Sequence, residues 1–513
     1  MQRALSFDQN PPLALPMRFF LTVPVFAALA AALLLWQGDA ALVTRWSPVT
    51  LALTHLLTLG CLSMAMIGAL LQILPVMAGI AVPGGLYAGR AMHAALCAGT
   101  LLLAGAFVAG QPWLFAAAVM PLACAFLVLV GCCTVGLWQQ YPSGADASLA
   151  AIRLALAALV VTVVLGVLLA AGYAWPQAVT LPLLRVTDLH ASWGLLGWVA
   201  LLVIGVAFQV VPMFLVTEPY PRWLTGGFAT ALFLLLVAAS LSAGVAEPFR
   251  LAALGLLGAG YAAFALVTLR LLARRKRPKA DAPTLFWRTA MASLLGALLL
   301  GLLPPDPRVD VARGVLLVAG FALSTINGML YKIVPFLSWY HLRHGTVDGT
   351  LPAPKDLPPI HRIIPDAQAR AQYLLHAGAL LLLVAACAWP ALLARPAGAL
   401  LCVSCLAWFA NLVRGLRVGR AGRPRAVHAS APLPMESHDE NATSQEARLR
   451  SPPRRPHRRA DQPRRPPHPP PVRRRTGPAA AETADDQARS DGRGVVRAGV
   501  AAGGVVKGQT RRV

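Results

Sequence analysis

Long apolar runs recur about twelve times between residues 17 and 415, separated by short polar breaks. A helix needs about 20 mostly apolar residues to cross the hydrocarbon core of a bilayer. A segment in lipid must also satisfy its backbone N–H and C=O groups internally, which a helix does. The runs predict spans at 17–36, 49–74, 91–110, 113–137, 151–173, 189–215, 224–244, 250–272, 286–303, 311–337, 371–390 and 394–415. Composition agrees: 57% of residues are hydrophobic and 13% charged, against about 25% charged in soluble domains. The predicted class is an all-α polytopic membrane protein with about twelve transmembrane helices and the lipid bilayer as its first partner.

The net charge of +24 does not read as a nucleic-acid face, because it is divided between interhelical loops and the last ninety or so residues. One set of loops carries Arg18, Arg90, Arg153, Arg222, Arg274-Arg275-Lys276-Arg277, Arg343, Arg362 and Arg414. The other set carries fewer, chiefly Arg45, Arg185, Arg250, Arg308 and Arg313. By the positive-inside rule the first side is cytoplasmic. Both termini are then cytoplasmic, in a bacterial-type inner membrane. Three regions follow: a cytoplasmic segment 1–16, a twelve-helix membrane domain 17–415, and a Pro/Arg-rich tail 416–513. The tail has too little apolar periodicity to bury a core and reads as disordered. Most of the 8 Cys fall inside apolar runs and read as small packing residues.

Three spans share an ending. They read Gly68-Ala69-Leu70-Leu71-Gln72-Ile73-Leu74-Pro75, Gly205-Val206-Ala207-Phe208-Gln209-Val210-Val211-Pro212 and Gly328-Met329-Leu330-Tyr331-Lys332-Ile333-Val334-Pro335. Each lies four spans from the next, so the repeats run in one direction. That predicts three four-helix groups around a pseudo-threefold axis along the membrane normal. The shared Gly and Pro residues read as structural: close packing, and termination or kinking of the helix. Gln72, Gln209 and Lys332 are expected to bond freed carbonyls or reach toward headgroups.

Two of these spans also begin alike, with His55 in span two and His190 in span six. An ionisable residue in a span is a candidate site by default, and neutral imidazole is a frequent metal and haem ligand. Met64 on the same helix as His55 could add a thioether suited to copper, although Met in a packed helix more often fills gaps. His93 and His376, at the starts of spans three and eleven, form a secondary pair for which interfacial hydrogen bonding is the simpler account. The segment His341-Leu342-Arg343-His344 reads as a solvated loop.

Spans that close with Gly and Pro on helices two, six and ten of twelve, two of them opening with His, resemble subunit I of the haem-copper oxidases. They are similar above all to its reduced relatives, the NnrS-type haem- and copper-containing proteins. The resemblance covers roughly residues 17–415. It implies threefold architecture, cytoplasmic termini, a haem or copper cofactor held by His55 and His190, and a respiratory or electron-transfer partner in respiratory or nitric-oxide metabolism. Span six lacks a His-Pro-Glu-Val-Tyr pattern, span seven a His pair and span ten a His-x-His. An oxygen-reducing binuclear centre is therefore not expected, and no catalytic residue is assigned. A transporter for a neutral solute, or a non-catalytic assembly subunit docking through 341–370, are the competing classes.

Overall fold

The computed structural model describes residues 11–79, 83–139, 147–242, 246–277, 279–344 and 357–421. The chain divides into two units, Met1–Ser430 and Ala431–Val513. The second unit, and with it most of the expected disordered tail, lies outside the described residues.

Among the described residues every regular element is helical. The membrane domain is built from α1 (Ala14–Ala41), α2 (Pro48–Val76), α3 (Gly85–Ala109), α4 (Pro112–Leu137), α5 (Ala147–Ala174), α6 (Leu183–Leu215), α7 (Phe228–Leu241), α8 (Glu247–Ala273), α9 (Ala282–Leu300), α10 (Pro307–His344), α11 (Asp366–Ala388) and α12 (Pro390–Val418). Eleven of these are long and apolar enough to cross a membrane. The exception is α7, which occupies the place expected for 224–244 with 14 residues. At 1.5 Å per residue it reaches about 21 Å, short of a ~30 Å hydrocarbon core. The cause is local. Gly227 at φ 98° starts the helix late, after a turn that a residue with a Cβ would adopt only under strain.

The helices fall into three groups of four with the same internal packing. In each group the first helix packs on the second and the third on the fourth. The fourth helix of each group then packs on the first of the next: α4 on α5, α8 on α9, and α12 back on α1. The ring is closed. The second helix of each group lies inside it. The apolar stretches of α2, α6 and α10 are 72, 72 and 56% buried, against 28–50% for the other spans.

The motif residues explain this arrangement. A Cβ on Gly68 would lie 2.8 Å from Phe19 of α1; on Gly205, 2.7 Å from Ala151 of α5; on Gly328, 2.8 Å from Phe286 of α9. Each motif glycine thus lets a central helix approach the first helix of its own group, as small residues do in membrane interfaces. The motif prolines do not end the helices as expected. The helices run on to Ala78, Leu215 and His344, because proline removes one backbone bond and the rest of the last turns is retained. The segment 341–344 is therefore the end of α10 rather than a loop, and His341 bonds to the carbonyls of Leu337 and Pro11.

A feature not visible in the sequence is shared by all three central helices. Each contains a π-helical segment: Thr58–Ser63, Trp193–Ala200 and Leu316–Leu323. The last π residue precedes the motif proline by the same interval each time, Ser63 before Pro75, Ala200 before Pro212 and Leu323 before Pro335. π-helical turns are rare and often accompany functional sites.

Candidate functional site

His55 and His190 each stand three residues before a π segment, on neighbouring central helices. The third repeat places Arg313 at that position. The two imidazoles come together, with ring centroids 6.3 Å apart and planes inclined by 22°. His55 Nδ1 lies 2.8 Å from the Leu51 carbonyl oxygen. His190 Nδ1 lies 3.0 Å from that of Thr162 on α5. A carbonyl can only accept, so each Nδ1 carries the proton and donates it. Each Nε2 is left with a lone pair, the tautomer and orientation that a metal-ligating histidine needs. Phe107 of α3 stacks on His55 at 5.3 Å.

Both rings line a cavity of about 220 Å³ enclosed by α2 to α6. Its walls are largely aliphatic and aromatic, with Phe107, Phe115 and Tyr173 in mutual ring contact. The hydroxyls of Thr54, Thr58 and Thr162 donate to the carbonyls one turn back, Thr50, Thr54 and Ala158. They therefore offer the cavity acceptors only. Trp198 lines the same cavity; its Nε1 is buried and without a hydrogen-bond partner. At the other end stands Trp46, beneath the Arg45 guanidinium at 4.2 Å. Arg45 bonds Asp188 at 2.7 Å and lies 3.4 Å from Asp310. It thereby links the ends of α6 and α10 beside the cavity mouth.

The remaining candidates are placed elsewhere. Met64 does not line the cavity. Nine residues below His55, it is about 14 Å away along the helix and cannot share an ion with it. Cys61, one of the cysteines read as packing residues, is buried on the same helix, with Sγ against the carbonyls of Val23 and Leu56. His93 and His376 do not join each other. In α3 the His93 Nε2 lies 2.8 Å from Thr22 Oγ1 of α1. In α11 the His376 Nε2 lies 2.7 Å from Ser324 Oγ of α10. Both hydroxyls already donate to a backbone carbonyl, so both imidazoles donate through Nε2. That occupies the nitrogen which His55 and His190 leave free. Among the described residues no group of three or more His, Cys, Asp or Glu could hold a metal ion.

The opposite ends of the central helices differ among the groups. Lys332 occupies the place of Gln72 and Gln209 and pairs with Asp281 at 2.6 Å instead of reaching for carbonyls. Asp281 caps α9 and also binds Arg275 and Thr284. Burial alone would raise the Asp281 carboxyl, but the Lys332 ammonium and these donors hold it well below the usual carboxylate range. Deeper in the same group, Asn411 donates to the Tyr331 hydroxyl, Tyr331 to Gln372, and Gln372 to Ser404.

Sequence reasoning missed Arg45, Thr162, Phe107 and Trp198. Trp198 stands close to His190 in the chain, but nothing in the residue order says which wall it faces. The chain matches no protein-family model and none of the curated proteins.

Proposed function

We propose that this multi-pass membrane protein binds a haem, or failing that a copper ion, between His55 and His190, on a scaffold of the haem-copper oxidase type without an oxygen-reducing centre. The observation that carries the reading is the pair of imidazoles lining one cavity, each with Nδ1 held by a carbonyl and Nε2 left over. The two rings are 6.3 Å apart at their centroids, so both could serve one group held between them. Two side-chain ligands are too few for a four-coordinate protein site. A porphyrin would supply four nitrogens of its own, with His55 and His190 as the residues that would hold it, so ligand count favours haem over a bare ion. The apolar and aromatic walls match the chemistry of a macrocycle, although about 220 Å³ holds only part of one and the helices would have to part to take it whole; the unpaired Trp198 N–H suits an acceptor on whatever fills the cavity.

When bound, haem iron would supply one-electron redox chemistry. The chain's own part is to fix both imidazoles through the Leu51 and Thr162 carbonyls, to exclude bulk water with Phe107, Phe115 and Tyr173, and to close the mouth with Arg45 and Trp46. The basic loops orient the histidine ends outward and both termini toward the cytoplasm of a bacterial-type inner membrane. A redox partner would then approach the outer face in respiratory or nitric-oxide metabolism.

The test is a reduced-minus-oxidised spectrum with metal analysis on the purified full chain and its His55→Ala and His190→Ala variants. A Soret band lost in both variants, with unchanged elution and melting, supports haem. Stoichiometric copper without a Soret band, equally lost, supports the copper form. Neither chromophore nor metal in the parent protein overturns the reading.

A further inference from the structure

A second cavity, of about 80 Å³, lies between the three central helices themselves. Its wall is made mostly of matching positions in the three repeats, with Phe20 of α1 and Trp287 of α9 beside them. Ten residues before the motif proline stand Ala65, Leu202 and Thr325; six before it, Ala69, Val206 and Met329; five before it, Leu70, Ala207 and Leu330. The cavity therefore sits on the pseudo-threefold axis, where the repeats converge. Its room comes from small residues, Ala65 and Ala69 in the first repeat and Ala207 in the second. Ala207 is the clearest, standing where the other two repeats carry Leu.

The chemistry of this wall is uniform. No polar atom is exposed on it. The hydroxyl of Thr325 is turned away, donating to the Phe321 carbonyl at 2.8 Å. Water needs two to four polar partners to occupy a buried site, so an apolar cavity stays dry and takes apolar guests. Interiors are close-packed, with few voids larger than a water molecule. Helices in a membrane also gain nothing from a void between them, since their association rests on van der Waals contact.

We propose that this axial cavity is a binding site for small uncharged apolar molecules, of the size of a diatomic gas or a xenon atom. It is roughly half the ~150 Å³ of an engineered apolar cavity that accepts benzene or xenon. Xenon therefore fits and benzene does not. The site is independent of any cofactor at His55 and His190, and it lies about one helical turn beyond the floor of their cavity, which is formed by Ser63 and Val199.

The experiment uses the full chain in nanodiscs with 13C-methyl-labelled methionine, observed by NMR under increasing xenon pressure. Met66 and Met329 line the cavity. Met64 is fully buried two residues from Met66 and does not line it. Saturable shifts of Met66 and Met329, with Met64 unmoved, are expected. Ala207→Leu gives α6 the side chain that its two counterparts already have, and should abolish those shifts. Met329→Ala enlarges the cavity and should admit benzene; it decides the matter if the leucine variant does not fold. The proposal is overturned if Met66 and Met329 do not respond, if they shift no more than Met64, or if the response persists in a folded Ala207→Leu protein. Loss of haem or copper through His55→Ala leaves the xenon response in place, which separates failure of this site from failure of the histidine site.

Discussion

The histidine ends of the first two groups and the opposite end of the third group solve the same problem in opposite ways. Both bring polar side chains into an apolar ring. Around His55 and His190 the polar atoms are held by backbone carbonyls of their own or the neighbouring helix, and two imidazole nitrogens are left over beside an open cavity. Around Lys332 most polar groups meet one another: Lys332 with Asp281, Tyr331 with Gln372 and Asn411, His376 with Ser324; Asn327 Oδ1 and Gln368 Oε1 are buried without a partner but line neither cavity. The first arrangement keeps binding capacity in reserve. The second spends it on holding α9, α10, α11 and α12 together. A polar group in a membrane interior therefore points to a ligand when an unclaimed donor or acceptor also lines an open cavity, and to packing when it is claimed or walled in.

The largest effect that could break this comparison is on cofactor content. His190→Ala should lose the haem or copper signal entirely, whereas Lys332→Gln, which restores the residue of the other repeats, should keep it at full stoichiometry. Equal loss in a folded Lys332→Gln protein would show that the two ends are not separate. Next comes stability. Asp281→Asn strands Lys332 and Arg275 and should destabilise by about 2 kcal/mol, less than the 3–5 kcal/mol of a fully buried pair because Asp281 keeps some solvent contact. Thermal melts in one detergent would measure it; an unchanged melt would mean that the pair contributes nothing.

The same carboxylate fixes the sign of a pH effect. Its folded-state pKa is depressed, so its stabilisation is fully present above the ordinary aspartate value near 4. That stabilisation is lost as pH falls through the lower folded value. The parent protein should lose melting temperature faster than Asp281→Asn below about pH 4, so the two melting curves converge with acidification. Trp198→Phe keeps most of the ring and removes one donor. Cofactor binding should survive, with an affinity loss of about tenfold or less, the value of roughly one hydrogen bond; a titration would sharpen what the cavity floor contributes. Smallest is Arg45→Ala, expected to shift stability by under about 1 kcal/mol, since exposed pairs contribute little. High salt should remove most of that difference.

Much of the architecture was legible in residue order. The spans could be counted because lipid demands long apolar helices, and the grouping followed from Gly68, Gly205 and Gly328 recurring every four spans. Their shared role, close approach to the first helix of each group, is a steric matter that sequence spacing preserves. Four things were not legible. The shortness of α7 depends on the turn at Gly227. The fate of the motif prolines depends on turns that continue past them. The separation of His93 from His376 depends on which group each belongs to. The meeting of His55 with His190 depends on how each helix is rotated within the ring, and the π segments change that rotation. Those segments share no residue pattern, since Thr58–Ser63, Trp193–Ala200 and Leu316–Leu323 have different sequences. Met64 was a candidate because it is near His55 in the chain, but nine residues of helix are a long way in space.

The closed ring has a consequence for how the molecule is made. The partner of α1 across the seam is α12, the last of these helices to leave the ribosome. Until α12 arrives, Ala31 and Leu35 of α1 lack the neighbour whose Gly398 sits against their backbone. A soluble protein holding such a face open would risk aggregation. In a bilayer the waiting face is solvated by acyl chains as apolar as the helix that will replace them. The first and last segments synthesised can therefore meet late, and the ring can close by lateral diffusion rather than by a race against misfolding.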